Sequence, residues 1–205
     1  EFRRVLFRSL NDGQARQALT SAYQAGFRAI AIVLLHGYRY PAHEARLAEL
    51  AAEIGFDQIS VSHQVAPLIK LIGRGDTSVV DAYLSPVLRR YVDRLQAEAG
   101  SEASFLFMQS NGGLASGQSF KGKDAILSGP AGGIVGLART ARQAGFDAVI
   151  GFDMGGTSTD VCRYDGEFER RYLMEIADPQ SGSGIRVVAP MLAIETVAAG
   201  GGSLC

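Results

Sequence analysis

Between Gly151 and Val161 the chain reads GFDMGGTSTDV. The glycines Gly155 and Gly156 stand beside the hydroxyls of Thr157, Ser158 and Thr159, and the carboxylates of Asp153 and Asp160 bracket the group. Glycine lets a backbone turn tightly and lets amides approach an anion without side-chain collision. Consecutive amides in such a turn form a concavity that holds phosphate. A hydrogen bond to a charged group contributes roughly 1.5–3 kcal/mol, so a handful can retain a triphosphate tail without a basic field. Asp153, at a strand end, suits a hydrated Mg²⁺, which takes only one or two carboxylates and keeps its other waters, with Asp160 as a second ligand. Alternatively Asp153 orients an attacking water. The P-loop is excluded, because it needs a lysine after its second glycine and a helix next, whereas a strand follows here. An ordinary glycine-rich hairpin is the plainer alternative.

Other segments have weaker chemical character. Ser128–Gly133 (SGPAGG) opens a helix, whose free amides hold an anion or simply begin the helix. Ala198–Ser203 (AAGGGS) closes an apolar strand. Its Gly200, Gly201 and Gly202 permit close approach of a base or sugar–phosphate, or form a flexible loop. Gln109–Gly113 (QSNGG) follows a strand end, where α/β folds place ligand contacts, but a simple turn is the better account of it. His36, His43 and His63 are scattered, so no Ser/His/Asp set can be assembled. Cys162 lies inside a strand and reads as a packed, inert thiol. Arg74, Asp76 and Thr77 read as caps of the following helix.

The elements that must position these groups alternate between helix and strand. A helix over 14–25 is capped by Asn11 or Asp12 and ended by Gly26. Arg28–Leu35 is a buried strand without polar alternation, the type found in parallel sheets. A second helix, Ala42–Ile54, starts after Pro41 and closes at Gly55. Gln58–Ser62 is a short strand, and the order defines an α/β layer. Residues 64–76 read as a linker. A long helix over 77–99 contains Pro86, which removes one backbone hydrogen bond. Ala103–Gln109 is a strand, 133–144 a helix, and Ala148–Met154 and Thr159–Tyr164 are paired strands. Asp165-Gly166 signals a hairpin returning through Phe168–Met174, giving a three-stranded meander. Asp178–Gly184 is loop-like, with strands at Ile185–Val188 and Ala193–Val197.

The 205 residues are 47% hydrophobic and 20% charged with net charge −1, which describes a folded chain without a field for nucleic acid or an anionic membrane. Ala29–Leu35, the longest apolar run, is far short of the ~20 residues a spanning helix needs. Cys162 and Cys205 form neither a disulfide framework nor metal-ligand spacing, in keeping with a reducing cytoplasm. Glu1–Ser9 (EFRRVLFRS) stands apart. One codon choice for it, GAGTTCAGACGTGTGCTCTTCCGATCT, looks like a common short-read sequencing adapter, so it is expected to be a translation artefact; a genuine basic N-terminus is the alternative. The chain is accordingly expected to be an internal fragment, with 10–63 the end of a first α/β lobe and 77–205 a truncated second lobe.

GFDMGGTSTDV, with LSGPAGG at 127–133 before it and TVAAGGGS at 196–203 after it, resembles the hydantoinase A/5-oxoprolinase family. FMQSNGGL at Phe107–Leu114 and DAYLSPVLRRY at Asp81–Tyr91 look like the same family, in the same order, and the resemblance extends over nearly all of 10–205. It implies an α/β ATPase fold of the actin/hexokinase/heat-shock-chaperone type, with ribonuclease H-like halves that close on ATP, incomplete in this chain. It implies two D-x-G-G-T turns, the later at Asp153–Asp160 and the earlier upstream of Leu10. The implied activity is ATP-dependent opening of a five-membered cyclic amide, such as 5-oxoproline or a hydantoin, by phosphorylation of the amide oxygen. Implied site residues are Asp153, catalytic and a Mg²⁺ ligand; Asp160, a Mg²⁺ ligand; and Gly155, Gly156, Thr157, Ser158, Thr159, Gly200, Gly201 and Gly202 around ATP. Implied partners are the cyclic amide and a hydantoinase B-type region or subunit in a homo- or hetero-oligomer. The alternatives are an ATP-dependent ketone carboxylase subunit and a non-catalytic nucleotide-binding module.

Overall fold

The computed structural model describes residues 9–100, 103–177 and 184–203. Most of the adapter-like segment, most of the loop expected at Asp178–Gly184, and Cys205 lie outside the described residues. The chain forms two compact units, one from 1–87 with 175–187 and one from 88–174 with 188–205.

In the first unit, α1 (Asp12–Gln24) begins where the Asn11 side chain accepts from the Gln14 amide at 3.0 Å. That bond satisfies one of the orphan donors of a helix start. α2 (Ala42–Ile54) follows Pro41 and ends at Gly55, whose φ of 108° is a left-handed cap that favours glycine. β1 (Ala29–Ile32) and β2 (Gln58–Val61) pair in parallel, Ile30 opposite Ile59. Leu19, Leu50, Ala51 and Phe56 form the core between these layers. β1 is shorter than the expected Arg28–Leu35, because the carbonyls of Leu34 and Leu35 turn aside to accept from Arg74. A short helix, α3 (Ser62–Val65), follows β2.

The long helix α4 (Leu71–Ala99) starts six residues before the expected Thr77, so Gly73–Asp76 are helical. Asp76 does not cap it; its carboxylate accepts from the Arg186 amide at 3.1 Å. Thr77 donates its hydroxyl back to the Gly73 carbonyl at 2.6 Å, an intrahelical bond rather than a cap.

In the second unit, β3 (Leu106–Met108) and β4 (Leu114–Ser116) form an antiparallel hairpin around QSNGG, with Gly112 at φ 82°. Ser110 is buried in this turn and ties it to Asp124, Leu127 and Leu192. α5 (Ser128–Gln143) contains all of SGPAGG, with Pro130 early in the helix, where a missing amide hydrogen is harmless. β5 (Ala148–Met154) and β6 (Thr159–Asp165) are antiparallel, and the expected strands stand.

The meander expectation needs correction. After Gly166 only β7 (Glu167–Phe168) returns along β6. β8 (Arg170–Arg171) instead pairs with β11 (Met191–Leu192), and β9 (Met174–Ala177) pairs with β10 (Gly184–Val187). β12 (Glu195–Val197) takes the remaining edge of β6. Ala131, Ile134, Leu192 and Ile194 form this unit's core. One face of β5 packs on α5 through Gly151, while Ile150, Phe152 and Met154 on the other are 75%, 67% and 56% exposed. Among the described residues no helix is long and apolar enough to cross a membrane.

Candidate functional site

The antiparallel register sets Asp153 opposite Asp160 and Met154 opposite Thr159, so β5 and β6 close on the four-residue turn 155–158. The Gly155 amide donates to the Ser158 carbonyl at 2.9 Å, closing the turn from within. Gly155, Gly156 and Thr157 are exposed. Among the described residues, the amides of Gly156, Thr157 and Ser158 donate to no protein acceptor. Backbone amides without a protein acceptor need another partner, so this run, exposed at Gly156 and Thr157 and half-buried at Ser158, supplies donors for solvent or an anion.

β12 extends the row across a third strand, with Thr196 opposite Asp160. Thr196 donates its hydroxyl to Asp160 Oδ1 at 2.6 Å, holding that carboxylate on the face that packs against α5. On the same face, a Cβ added to Gly133 of α5 would lie 3.6 Å from Asp153 Oδ2. A pocket of about 210 Å³ opens here, lined by Gly133, Ile134, Asp153, Asp160, Cys162 and Ile194 among others. Two carboxylates on adjacent strands beside exposed amides suit Mg²⁺, which needs one or two protein oxygens and otherwise water and phosphate. Among the described residues no group of three His, Cys, Asp or Glu side chains could hold a metal ion.

Thr159 differs from its neighbouring hydroxyls. It is buried and donates to the Ala199 carbonyl at 2.6 Å. That bond draws the glycine loop 200–202 against the turn. Gly201 and Gly202 donate their amides to the carbonyls of Gly155 and Gly156, each at 2.9 Å. The two glycine-rich segments, separate in sequence, are thus one piece of structure. Cys162 faces Gly151 across the strands. Burial pushes its thiol up, the Gly151 backbone opposes this, and Asp160 reinforces it. It therefore remains a neutral thiol around neutral pH.

Sequence reasoning missed two positions. Thr196 sits in a short exposed strand without readable alternation. Gly151 must lack a side chain, because a Cβ there would meet Leu137 Cδ2 at 2.3 Å and Cys162 Sγ at 2.6 Å. A polar cluster in the first unit was also invisible. Glu44 is fully buried and accepts from the Leu34 amide at 2.7 Å, Ser62 Oγ at 2.6 Å, and His63 through its amide at 3.0 Å and its Nδ1 at 2.7 Å. Arg74, also fully buried, donates Nε to Ser62 Oγ at 2.9 Å and Nη1 to the Leu68 carbonyl at 2.6 Å. Burial pushes the Glu44 carboxyl up, but the bonds from Ser62, Leu34 and His63 outweigh it, and the net direction is down.

The hydantoinase/oxoprolinase family model matches residues 74–205, and the model of that family's N-terminal region matches 1–55. The chain belongs to the hydantoinase/oxoprolinase family. It is 43% identical over 198 residues to 5-oxoprolinase of Saccharomyces cerevisiae and 44% identical over 198 residues to 5-oxoprolinase 1 of Arabidopsis thaliana. Those alignments cover 95% and 94% of this chain but 15% of each relative, so the chain spans about a seventh of their length. The ATP-dependent caprolactamase structure from Pseudomonas jessenii superposes with a TM-score of 0.77 at 34% identity, over 93% of this chain and 28% of that one. A nucleotide-free acetone carboxylase structure gives 0.73 at 26% identity, over 93% and 27%. The family's α/β ATPase fold, expected from the sequence, is the fold observed.

Proposed function

We propose that the intact protein couples ATP hydrolysis to the opening of a five-membered cyclic amide, with 5-oxoproline as the first substrate to test. The observation that carries this reading is the turn at Gly155–Ser158, which presents three amides unpartnered among the described residues beside Asp153 and Asp160, in a chain 43–44% identical to 5-oxoprolinases. An unstrained lactam carbonyl is a poor electrophile. Transfer of the γ-phosphoryl group to the amide oxygen makes that oxygen a leaving group. Water then adds to carbon and the ring C–N bond breaks, giving a free amine and an acyl phosphate; a second water releases the phosphate, leaving ADP, phosphate and the opened amino acid.

In this reading the amides of Gly156, Thr157 and Ser158 and the hydroxyls of Thr157 and Ser158 hold the phosphates, while Gly155 closes the turn and leaves room for their approach. Thr159 and Gly200–Gly202 belong to the same ATP site. Asp153 and Asp160 would hold Mg²⁺, which would supply neutralising charge to the triphosphate. Asp153 is the candidate catalytic carboxylate. The partners are a hydantoinase B-type region or subunit within an oligomer, a reading supported by the name of one relative, caprolactamase subunit alpha of Pseudomonas jessenii, 34% identical. The compartment is the cytoplasm, where ATP and reduced thiols are available.

The test is ATP turnover by the intact protein with and without 5-oxoproline or hydantoins. Stimulation by either supports the reading, and its absence with both sinks it. The likeness to acetone carboxylase supports a second reading, ketone carboxylation, recognised by ATP turnover that requires both bicarbonate and a ketone.

A further inference from the structure

The loop Ala198–Ser203 was expected to touch nucleotide, yet its hydrogen bonds point elsewhere. The amides of Gly201 and Gly202 donate to the carbonyls of Gly155 and Gly156, and the Gly200 amide donates to Ser203 Oγ at 3.0 Å. All three glycine amides are therefore engaged within the protein. The effect on the phosphate turn follows from peptide geometry. A trans peptide is planar, and its C=O and N–H point in opposite directions. With the carbonyls of Gly155 and Gly156 fixed on the loop, the N–H groups of the same two peptide planes, those of Gly156 and Thr157, must point away from it. That is the outward side of the turn.

Contact between the two segments is backbone against backbone. A Cβ on Gly200 would lie 2.6 Å from the Gly155 carbonyl oxygen, 2.6 Å from the Thr157 nitrogen and 2.7 Å from the Gly156 carbonyl carbon. None of these atoms is a side-chain tip that could swing aside. The Cβ of Gly156, in contrast, would meet nothing within 4 Å. Glycine is thus required at 200 by the neighbouring turn, without any ligand. The buried Thr159 hydroxyl, bonded to the Ala199 carbonyl, pins the loop in place.

We infer that Gly200–Gly202 are positioning residues, which aim the amides of Gly156 and Thr157 at the phosphates instead of contacting base or sugar. The inference rests on the ATP reading above and specifies how that site is built. It predicts that damage to the loop is felt through the phosphates alone.

The experiment measures binding of ATP and of inorganic tripolyphosphate, both with magnesium, to the intact wild-type protein, Gly200→Ala and Thr159→Val. Gly200→Ala is expected to weaken both ligands by the same factor, about tenfold or more, comparable to one charge-assisted hydrogen bond. Thr159→Val, nearly isosteric, is expected to weaken both equally by a smaller factor, and it decides the matter when near-ultraviolet circular dichroism shows Gly200→Ala misfolded. Loss of ATP binding with tripolyphosphate unchanged overturns the inference, since the loop then serves the nucleoside. Unchanged binding of both ligands also overturns it. Wild-type protein that binds ATP but not tripolyphosphate overturns it while leaving the ATP reading intact, whereas failure to bind either ligand refutes the ATP reading itself.

Discussion

Replacing Arg74 with methionine tests whether the first unit depends on the polar cluster beneath its sheet. The guanidinium donates to Ser62 Oγ and to the carbonyls of Leu34, Leu35, Leu68 and Ile69, while Ser62 Oγ in turn donates to the buried Glu44 carboxylate. Arg74→Met preserves much of the side-chain volume but removes this donor from Ser62 Oγ and from the carbonyls of Leu35, Leu68 and Ile69, leaves the Leu34 carbonyl only the Gly37 amide, and leaves Glu44 without its relayed cation. An abandoned buried acceptor costs about 1–3 kcal/mol. Removing one member of a buried charged set costs about 3–5 kcal/mol in all, less than the sum of its bonds because the charge is no longer desolvated. At about 1.4 kcal/mol per decade, the locally opened population rises roughly a hundred- to several-thousand-fold. Native-state hydrogen exchange on the intact protein reads this directly at the β1 and β2 amides, which this cluster flanks. Arg74→Lys, which keeps a charge but loses the planar fork, should fall between methionine and wild type. Protection within about 0.5 kcal/mol of wild type in the methionine variant would refute the reasoning, since it is the range of an ordinary surface substitution.

Acid should act through Glu44. Its folded carboxyl lies below its ordinary value, so its stabilisation is complete above the unfolded value of about 4.3 and is lost as pH falls through the folded value. Glu44→Gln should be less stable at neutral pH and should flatten the acid limb of melting temperature against pH; a limb parallel to wild type refutes this. Gly151→Ala should overpack β5 against Leu137 and lower stability by about 1–3 kcal/mol in thermal unfolding, and an unchanged transition contradicts the packing described. Asp153→Asn should lower ATP turnover of the intact protein at least about a hundredfold and raise the magnesium requirement, with the melting temperature unchanged because the side chain is exposed. Full activity removes Asp153 from the mechanism.

What could be read in the sequence was local. Asn11 and Gly26, and Pro41 and Gly55, mark their helices because caps depend on a few neighbouring residues. The β5–β6 turn was legible for the same reason, since two glycines, three hydroxyls and two acids are contiguous. What was missed depends on partners distant in the chain. Arg74 in a glycine-rich stretch reads as a cap, and only a carbonyl 40 residues away makes it a buried donor. The glycines at 200–202 suggest room for a ligand, yet the space beside Gly200 is filled by a turn over 40 residues earlier. Thr196 gains meaning only through its register with Asp160.

The bare face of β5 has a practical consequence. Ile150, Phe152 and Met154 line one side of a strand that ends the hydrogen-bonded order of its sheet among the described residues. An apolar strand with an unpaired edge is a template for other chains. This 205-residue stretch, produced by itself, should form oligomers that grow with concentration and bind hydrophobic dyes. A lysine at Phe152, on the side away from Asp153, is the substitution most apt to keep it in solution for crystallisation or spectroscopy.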